Sequence, residues 1–138
     1  MLFRSTGSRG LHVYVPIVRE PTQDTVHTFA KTLATELASR NPKLMTLGYN
    51  VKQRPHNRVL LDYKQNAWGQ TLASIYSVRP KPLATVSTPL TWDEVEKGAT
   101  IEDFRLDNVR QRIAKVGDLW KGLLAKRGRT NLARFFGS

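Results

Sequence analysis

The run from Pro21 to Pro42 constrains the fold most. Val26, Phe29, Ala30, Leu33, Ala34, Leu37 and Ala38 recur along it three and four residues apart, the spacing that lines one face of a helix. Pro21-Thr22-Gln23-Asp24 supplies a start and Asn41-Pro42 a stop. The spacing predicts an amphipathic helix whose apolar stripe packs into a core. Two short segments read as strands. From Leu11 to Val18, the residues Leu11, Val13 and Val15 alternate with His12, Tyr14 and Pro16, and Pro16 cannot donate to a ladder, so this strand ends there or lies at an edge. In Arg58–Tyr63 (RVLLDY), Val59, Leu61 and Tyr63 share one face, and Leu60 and Asp62 share the other.

The remaining chain is punctuated by turn residues. Residues 48–58 (GYNVKQRPHNR) form a basic, turn-rich connection, and residues 65–76 read as helical or irregular. Residues 79–91 (RPKPLATVSTPLT) contain three prolines and predict an extended loop. Thr91-Trp92-Asp93-Glu94 has the form of a capping box, with Thr91 as cap and Glu94 reaching back. Residues 107–116 and 118–127 suggest two further helices parted at Gly117, and the basic tail KRGRTNLARFFGS frays into glycine. The expected architecture is α/β (α+β), a small sheet packed with helices. At 138 residues the chain suits one domain, divided here as residues 1–127 with a basic tail at 128–138.

Charge narrows the class of partner. Lys and Arg number 22 against 11 Asp and Glu, a net charge of +11. Such an excess favours a polyanionic partner, nucleic acid ahead of an anionic membrane, though a basic surface serving solubility alone has the same composition. Cysteine is absent, which rules out disulfides and cysteine zinc sites and fits a reducing cytoplasm. No secretory signal and no run of eighteen apolar residues is present.

The chemistry-bearing residues begin in STGSRGLHVYV, Ser5 to Val15. Backbone N–H groups in a glycine-rich turn make a concavity for anions. Thr6 and Ser8 add hydroxyls, Arg9 a planar cation, and His12 a further donor. The pattern is neither a Walker loop nor a dinucleotide fingerprint, and a frayed terminus leading into an edge strand would look the same. Asp62, set between Leu61 and Tyr63, needs a partner if buried, either a metal ion or an arginine; a solvent-facing Asp at a strand end is the alternative. His12 and Asp62 each oppose the apolar face of their strand. If those strands are neighbours, both emerge on one side of the sheet. Lys52, Arg54 and Arg58 precede Asp62, and Arg79 and Lys81 follow it. Basic residues scattered like this usually face solvent, but convergence on one carboxylate would suit phosphoryl transfer. His27 and His56 lack ligand spacing and read as surface residues.

Three blocks, STGSRGLHVYVPI, RVLLDYKQNAWGQTLASIYSVRPKPLATVSTPLTWDEV and FRLDNVRQRIAKVGDLW, resemble the polymerase domain of bacterial ATP-dependent ligase D. That domain belongs to the archaeo-eukaryotic primase superfamily and acts in non-homologous end joining. The resemblance keeps order and spacing over roughly residues 3 to 121. It implies nucleotidyl transfer to a 3′-hydroxyl, Mg2+ or Mn2+ as cofactor, and nucleoside triphosphate and DNA ends as ligands. Thr6 stands where the family usually has serine, and Arg9 where it has lysine or arginine. With Gly10 and His12 these would hold the triphosphate. Asp62 matches the third metal-binding, catalytic aspartate, and Gln65 and Asn66 the polar pair after it. Arg79 matches an arginine directed at the triphosphate, and Lys52 and Arg54 a basic segment facing the nucleotide. Trp68 departs from the family pattern.

The family's first catalytic motif, an Asp-x-Asp pair followed by proline, is absent from the 138 residues. The resulting expectation is a C-terminal half-domain, with an open sheet edge and apolar face, that needs an upstream polymerase half for catalysis or is the relic of a split gene. A ligase and an end-binding protein are the other implied partners, at the bacterial nucleoid in the cytoplasm and not at a membrane. The rival expectation is a non-catalytic, basic nucleic-acid-binding protein.

Overall fold

The computed structural model describes residues 1–125 and 127–136. The fold is α+β and forms two compact units, one of residues 1–19 and 73–138 and the other of residues 20–72.

The first unit is built on an antiparallel sheet in the order β2-β1-β5, where β1 is Leu2–Ser5, β2 is Leu11–Tyr14 and β5 is Pro89–Leu90. β1 and β2 form a hairpin across the glycine turn, pairing Leu2 with Tyr14, Phe3 with Val13, Arg4 with His12 and Ser5 with Leu11. Alternation sets Arg4, His12 and Tyr14 on one face and Phe3, Leu11 and Val13 on the other. On the second face Phe3 meets Trp92, with ring centroids 4.6 Å apart. Leu11, Val13 and Val15 stay exposed, as expected for an open apolar face.

The segment read as an extended loop is the buried spine of this unit. Val86, Ser87, Thr88 and Leu90 are buried, together with Thr85. The segment pairs with residues 77–79 through Arg79 N–H to Thr85 O (2.7 Å) and Ser87 N–H to Ser77 O (3.0 Å), and with Phe104 through Val86 N–H (2.7 Å). Ser5 N–H donates to Thr88 O at 2.9 Å. The prolines lie outside the paired stretch or, at Pro89, beside Arg4 in β5. The buried hydroxyls are satisfied: Thr85 Oγ1 donates to Gly7 O, Ser87 Oγ to Ser5 O and Thr88 Oγ1 to Val86 O, so burying them costs little.

Local signals set the surrounding helices. Thr91 and Glu94 form the expected capping box of α2, Trp92–Glu96. Helix α3, Val109–Val116, ends at Gly117, whose φ of 74° terminates it. Arg112 on α3 clamps Glu94 with two hydrogen bonds (Nε to Oε1 3.0 Å, Nη2 to Oε2 2.7 Å) and also donates to Pro89 O. Burial alone would raise the Glu94 carboxyl, but the Arg112 and Thr91 hydrogen bonds hold it below its ordinary value. No helix forms at 118–125. Asp118 caps the Trp120 N–H at 2.9 Å and turns follow; Lys126, in the same expected helix, lies outside the described residues. The tail is held through residue 136 where fraying was expected. Thr130 N–H donates to Pro16 O, Val18 N–H to Thr130 O, and Leu132 is buried. The terminal Gly137 and Ser138 lie outside the described residues.

The second unit carries helix α1, Gln23–Arg40, with Thr22 capping the Thr25 N–H and Asn41 closing the end. A two-residue parallel pair follows, β3 (Met45–Thr46) with β4 (Val59–Leu60). The 3₁₀ turn Tyr63–Asn66 packs on α1, with Tyr63 against His27. Two expectations change here. Only Ala34 of the α1 stripe is buried, and Leu33 and Leu37 remain exposed, so the stripe is only partly covered. The strand expected at 58–63 shrinks to β4, because the Asp62 side chain accepts the Lys64 N–H and starts the turn, a local bond that competes with the ladder. β2, which carries His12, and β4, which precedes Asp62, belong to different sheets, and Asp62 itself lies outside β4, so the two strands are not the neighbours expected.

Candidate functional site

The glycine turn closes on itself. Thr6 N–H donates to Gly10 O at 2.9 Å. The N–H groups of Ser8, Arg9 and Gly10 converge, each 3.2 Å from Thr6 Oγ1. These amides are therefore aimed at the turn's own Thr6 hydroxyl oxygen. One oxygen with two lone pairs serves three donors at long range, and the hydroxyl proton is left to donate outward. Gly7 seats the turn. Its φ is 64°, and a Cβ there would lie 2.8 Å from Arg79 Cγ and 2.9 Å from both Ser87 N and Val86 C. Gly10 has open space around it.

Cations gather at the base of the turn without acidic partners. Arg79 is positioned by its backbone pairing, its N–H donating to Thr85 O. Its Nε is buried without a hydrogen-bond partner. Arg4 is also buried, and its Nε lacks a partner. Desolvation pulls Arg4 below its ordinary value; Tyr14 works against this and the Arg79 charge adds to it. Neither arginine takes part in the ion pairs formed among the described residues. Arg4 Nη2 contacts His12 Nδ1 at 2.8 Å. Arg9 is exposed on the turn. Thr6, Arg9, Gly10, His12 and Arg79 thus all lie in the first unit.

Asp62, Gln65, Asn66, Lys52 and Arg54 lie in the second unit. Asp62 is exposed. Its Oδ1 accepts from Tyr49 Oη (3.0 Å) and Lys64 N–H (3.2 Å), and its Oδ2 from Gln65 Nε2 (3.4 Å). Burial, aided by Asp62, pushes the Tyr49 phenol up to about 12. Lys64 Nζ stands 4.1 Å over the Tyr49 ring. Gln65 Oε1 is buried without a partner. Asn66 is engaged structurally, its side-chain amide donating to Tyr63 O and its carbonyl accepting from Gln23. Lys52 is exposed and Arg54 half-buried. Among the described residues no group of three or more His, Asp or Glu lies together. The expected site residues supply one carboxylate, Asp62, which does not fit a two-metal centre.

Sequence reasoning missed Arg4 and Gly7. The available signal was LFRS ahead of the glycine turn and LHVY after it. Two short runs about a glycine-bearing loop are a hairpin signature, and that hairpin would have placed Arg4 in a strand beside His12.

The small sheet, its glycine turn and the flanking helices are of primase-polymerase type. The structure matches the polymerase domain of Mycobacterium tuberculosis ligase D, solved in complex with DNA, with a TM-score of 0.81 and 32% identity over 88% of this chain and 42% of that one. Residues 1–120 match the family described as "LigD, primase-polymerase domain", and the chain belongs to that family. It is 35% identical over 113 residues to the bifunctional non-homologous end joining protein LigD of Bacillus subtilis, covering 81% of this chain and 18% of that protein. It is 34% identical over 115 residues to the multifunctional non-homologous end joining protein LigD of Mycolicibacterium smegmatis, covering 83% of this chain and 15% of that protein. The chain therefore spans less than a fifth of the length of these relatives. Among the described residues no helix is long and apolar enough to cross a membrane.

Proposed function

We propose that the chain binds the triphosphate of a nucleoside triphosphate at the glycine turn and serves as a nucleotidyltransferase-type module acting on DNA ends in non-homologous end joining. One observation carries this reading: Arg4 and Arg79 are brought to the base of the turn, each with a buried Nε that has no partner. Arg4 is buried and Arg79 half-buried; cations withdrawn from water without an acid favour an anionic ligand, and a triphosphate is such an anion. Thr6 would donate its hydroxyl, His12 a ring N–H, Arg79 its guanidinium and Arg9 a solvent-screened charge. Gly10 would let phosphate oxygens approach the backbone. Lys52, Arg54, Gln65 and Asn66 are assigned to the nucleotide through the family resemblance.

By the family resemblance, Asp62 would contribute one carboxylate to Mg2+ or Mn2+. Once bound, the ion would neutralise charge on the phosphates. Completion by an upstream polymerase half, and work alongside a ligase and an end-binding protein, belong to the same proposal. The net charge of +11 supports a second reading, a non-catalytic nucleic-acid binder.

Titration with dATP and ATP, with and without Mn2+, separates the two readings. Metal-dependent triphosphate binding that His12→Ala and Arg79→Ala each weaken at least tenfold supports the first. No triphosphate binding, with DNA binding that falls steeply with salt, supports the second. Primer extension with Mn2+ tests Asp62: extension that survives Asp62→Asn overturns its metal role.

A further inference from the structure

Arg4 is 2% exposed in the middle of β1, directly across the ladder from His12. Its Nη2 stands 2.8 Å from His12 Nδ1. A guanidinium has five N–H donors and no acceptor. The bond therefore has a single polarity: Arg4 donates, and Nδ1 accepts through its lone pair. A neutral imidazole carries one ring proton, so that proton belongs on Nε2. The guanidinium is itself fixed. Its Nη1 donates to the Ala73 carbonyl, and its Cζ lies 5.4 Å from the Tyr14 ring centroid. An arginine held this way has little freedom to turn and release the histidine.

We infer that Arg4 is a positioning residue for His12, setting its Nε2–H tautomer and ring orientation. Its use rests on the triphosphate reading above: a ring held in this tautomer offers phosphate oxygens a donor at Nε2. The tautomer itself follows from the Arg4–His12 pair and does not depend on that reading. The chemistry also says which residues could replace Arg4. Lysine has donors only and enforces the same polarity. Glutamine has both a donor and a carbonyl acceptor, so it would let Nδ1 carry the proton and release the tautomer.

The test uses the full chain, uniformly 15N-labelled, with long-range 1H–15N correlation spectra of the imidazoles. His12 signals are identified by their loss in His12→Ala. The expected result is a pyridine-type Nδ1 and a pyrrole-type Nε2 in the wild type and in Arg4→Lys, and a mixed or reversed pattern in Arg4→Gln. Affinity for dATP should drop about tenfold in Arg4→Gln, the scale of one hydrogen bond to a charged group, and fall less in Arg4→Lys. A protonated Nδ1 in the wild type overturns the inference, as does an Arg4→Gln spectrum identical to wild type. If Arg4→Gln does not fold, the wild-type and Arg4→Lys spectra decide. A wild type with the predicted tautomer but no triphosphate binding supports the inference and refutes the proposed function instead.

Discussion

Replacing Gly7 with alanine tests how the turn is seated. Two effects add. At a φ of 64°, a residue with a Cβ is strained by about 1 kcal/mol relative to glycine. The new methyl would also lie 2.9 Å from Ser87 N and Val86 C. Those are backbone atoms, held by Val86 N–H to Phe104 O (2.7 Å) and Ser87 N–H to Ser77 O (3.0 Å), so they have little room to yield. Overpacking of this kind costs about 1–3 kcal/mol, giving a total near 3 kcal/mol. With a urea slope of about 1.5 kcal/mol/M, the midpoint should fall by about 2 M. The measurement is best made in a Trp68→Phe background, so that fluorescence from Trp92 and Trp120 reports the unit that holds the turn. Gly10→Ala is the control. Its Cβ would meet nothing within 4 Å, so stability should stay within about 0.5 kcal/mol. A Gly7→Ala midpoint within about 0.3 M of wild type, or a Gly10→Ala loss as large as that expected for Gly7, would refute the argument from close approach.

Other outcomes follow from the same geometry. Glu94→Gln should destabilise by about 2 kcal/mol near neutral pH by leaving the Arg112 guanidinium unpaired. Because the folded carboxyl is depressed below 4.5, its contribution is complete above that value and is lost as pH falls through the folded pKa. The mutant's acid-unfolding curve should therefore be flatter than wild type. Thr22→Ala, which removes the α1 cap, should lower stability by about 1 kcal/mol in chemical unfolding. Tyr49 and Tyr76, each raised to about 12 chiefly by burial, should ionise only well above pH 10 in an ultraviolet pH titration. The fold loses stability as pH climbs from 10 towards that value.

What could be read in the sequence was local. Helix α1 was legible because Thr22, Asn41 and the 3.6-residue spacing all lie within one segment, and α2 because Thr91 and Glu94 cap each other. The glycine turn was legible as an anion-binding candidate because its donors are neighbours in sequence. The buried spine at Thr85–Leu90 was not. Its partners are Ser5, Ser77 and Phe104, distant in sequence, and the prolines on either side dominate a local reading. Asp62 was misplaced in a strand because LLDY alternates well, while its short bond to Lys64 N–H decides the geometry. Arg4 was invisible for the spine's reason: its role depends on Ala73, 69 residues away, and on a hairpin partner.

The exposed strand β2 has a consequence for how the protein behaves in concentrated solution. Among the described residues it is bonded to β1 on one side only, and Leu11 and Val13, with Val15 just after it, face solvent. Two copies meeting edge to edge could extend each other's sheet. Mutual repulsion from eleven excess positive charges keeps them apart while the ionic atmosphere is thin. Raising the salt to about 1 M shrinks the reach of that repulsion to about 3 Å. Added electrolyte should then drive self-association of this chain, so its colloidal stability is guarded by charge and not by the shape of its edge.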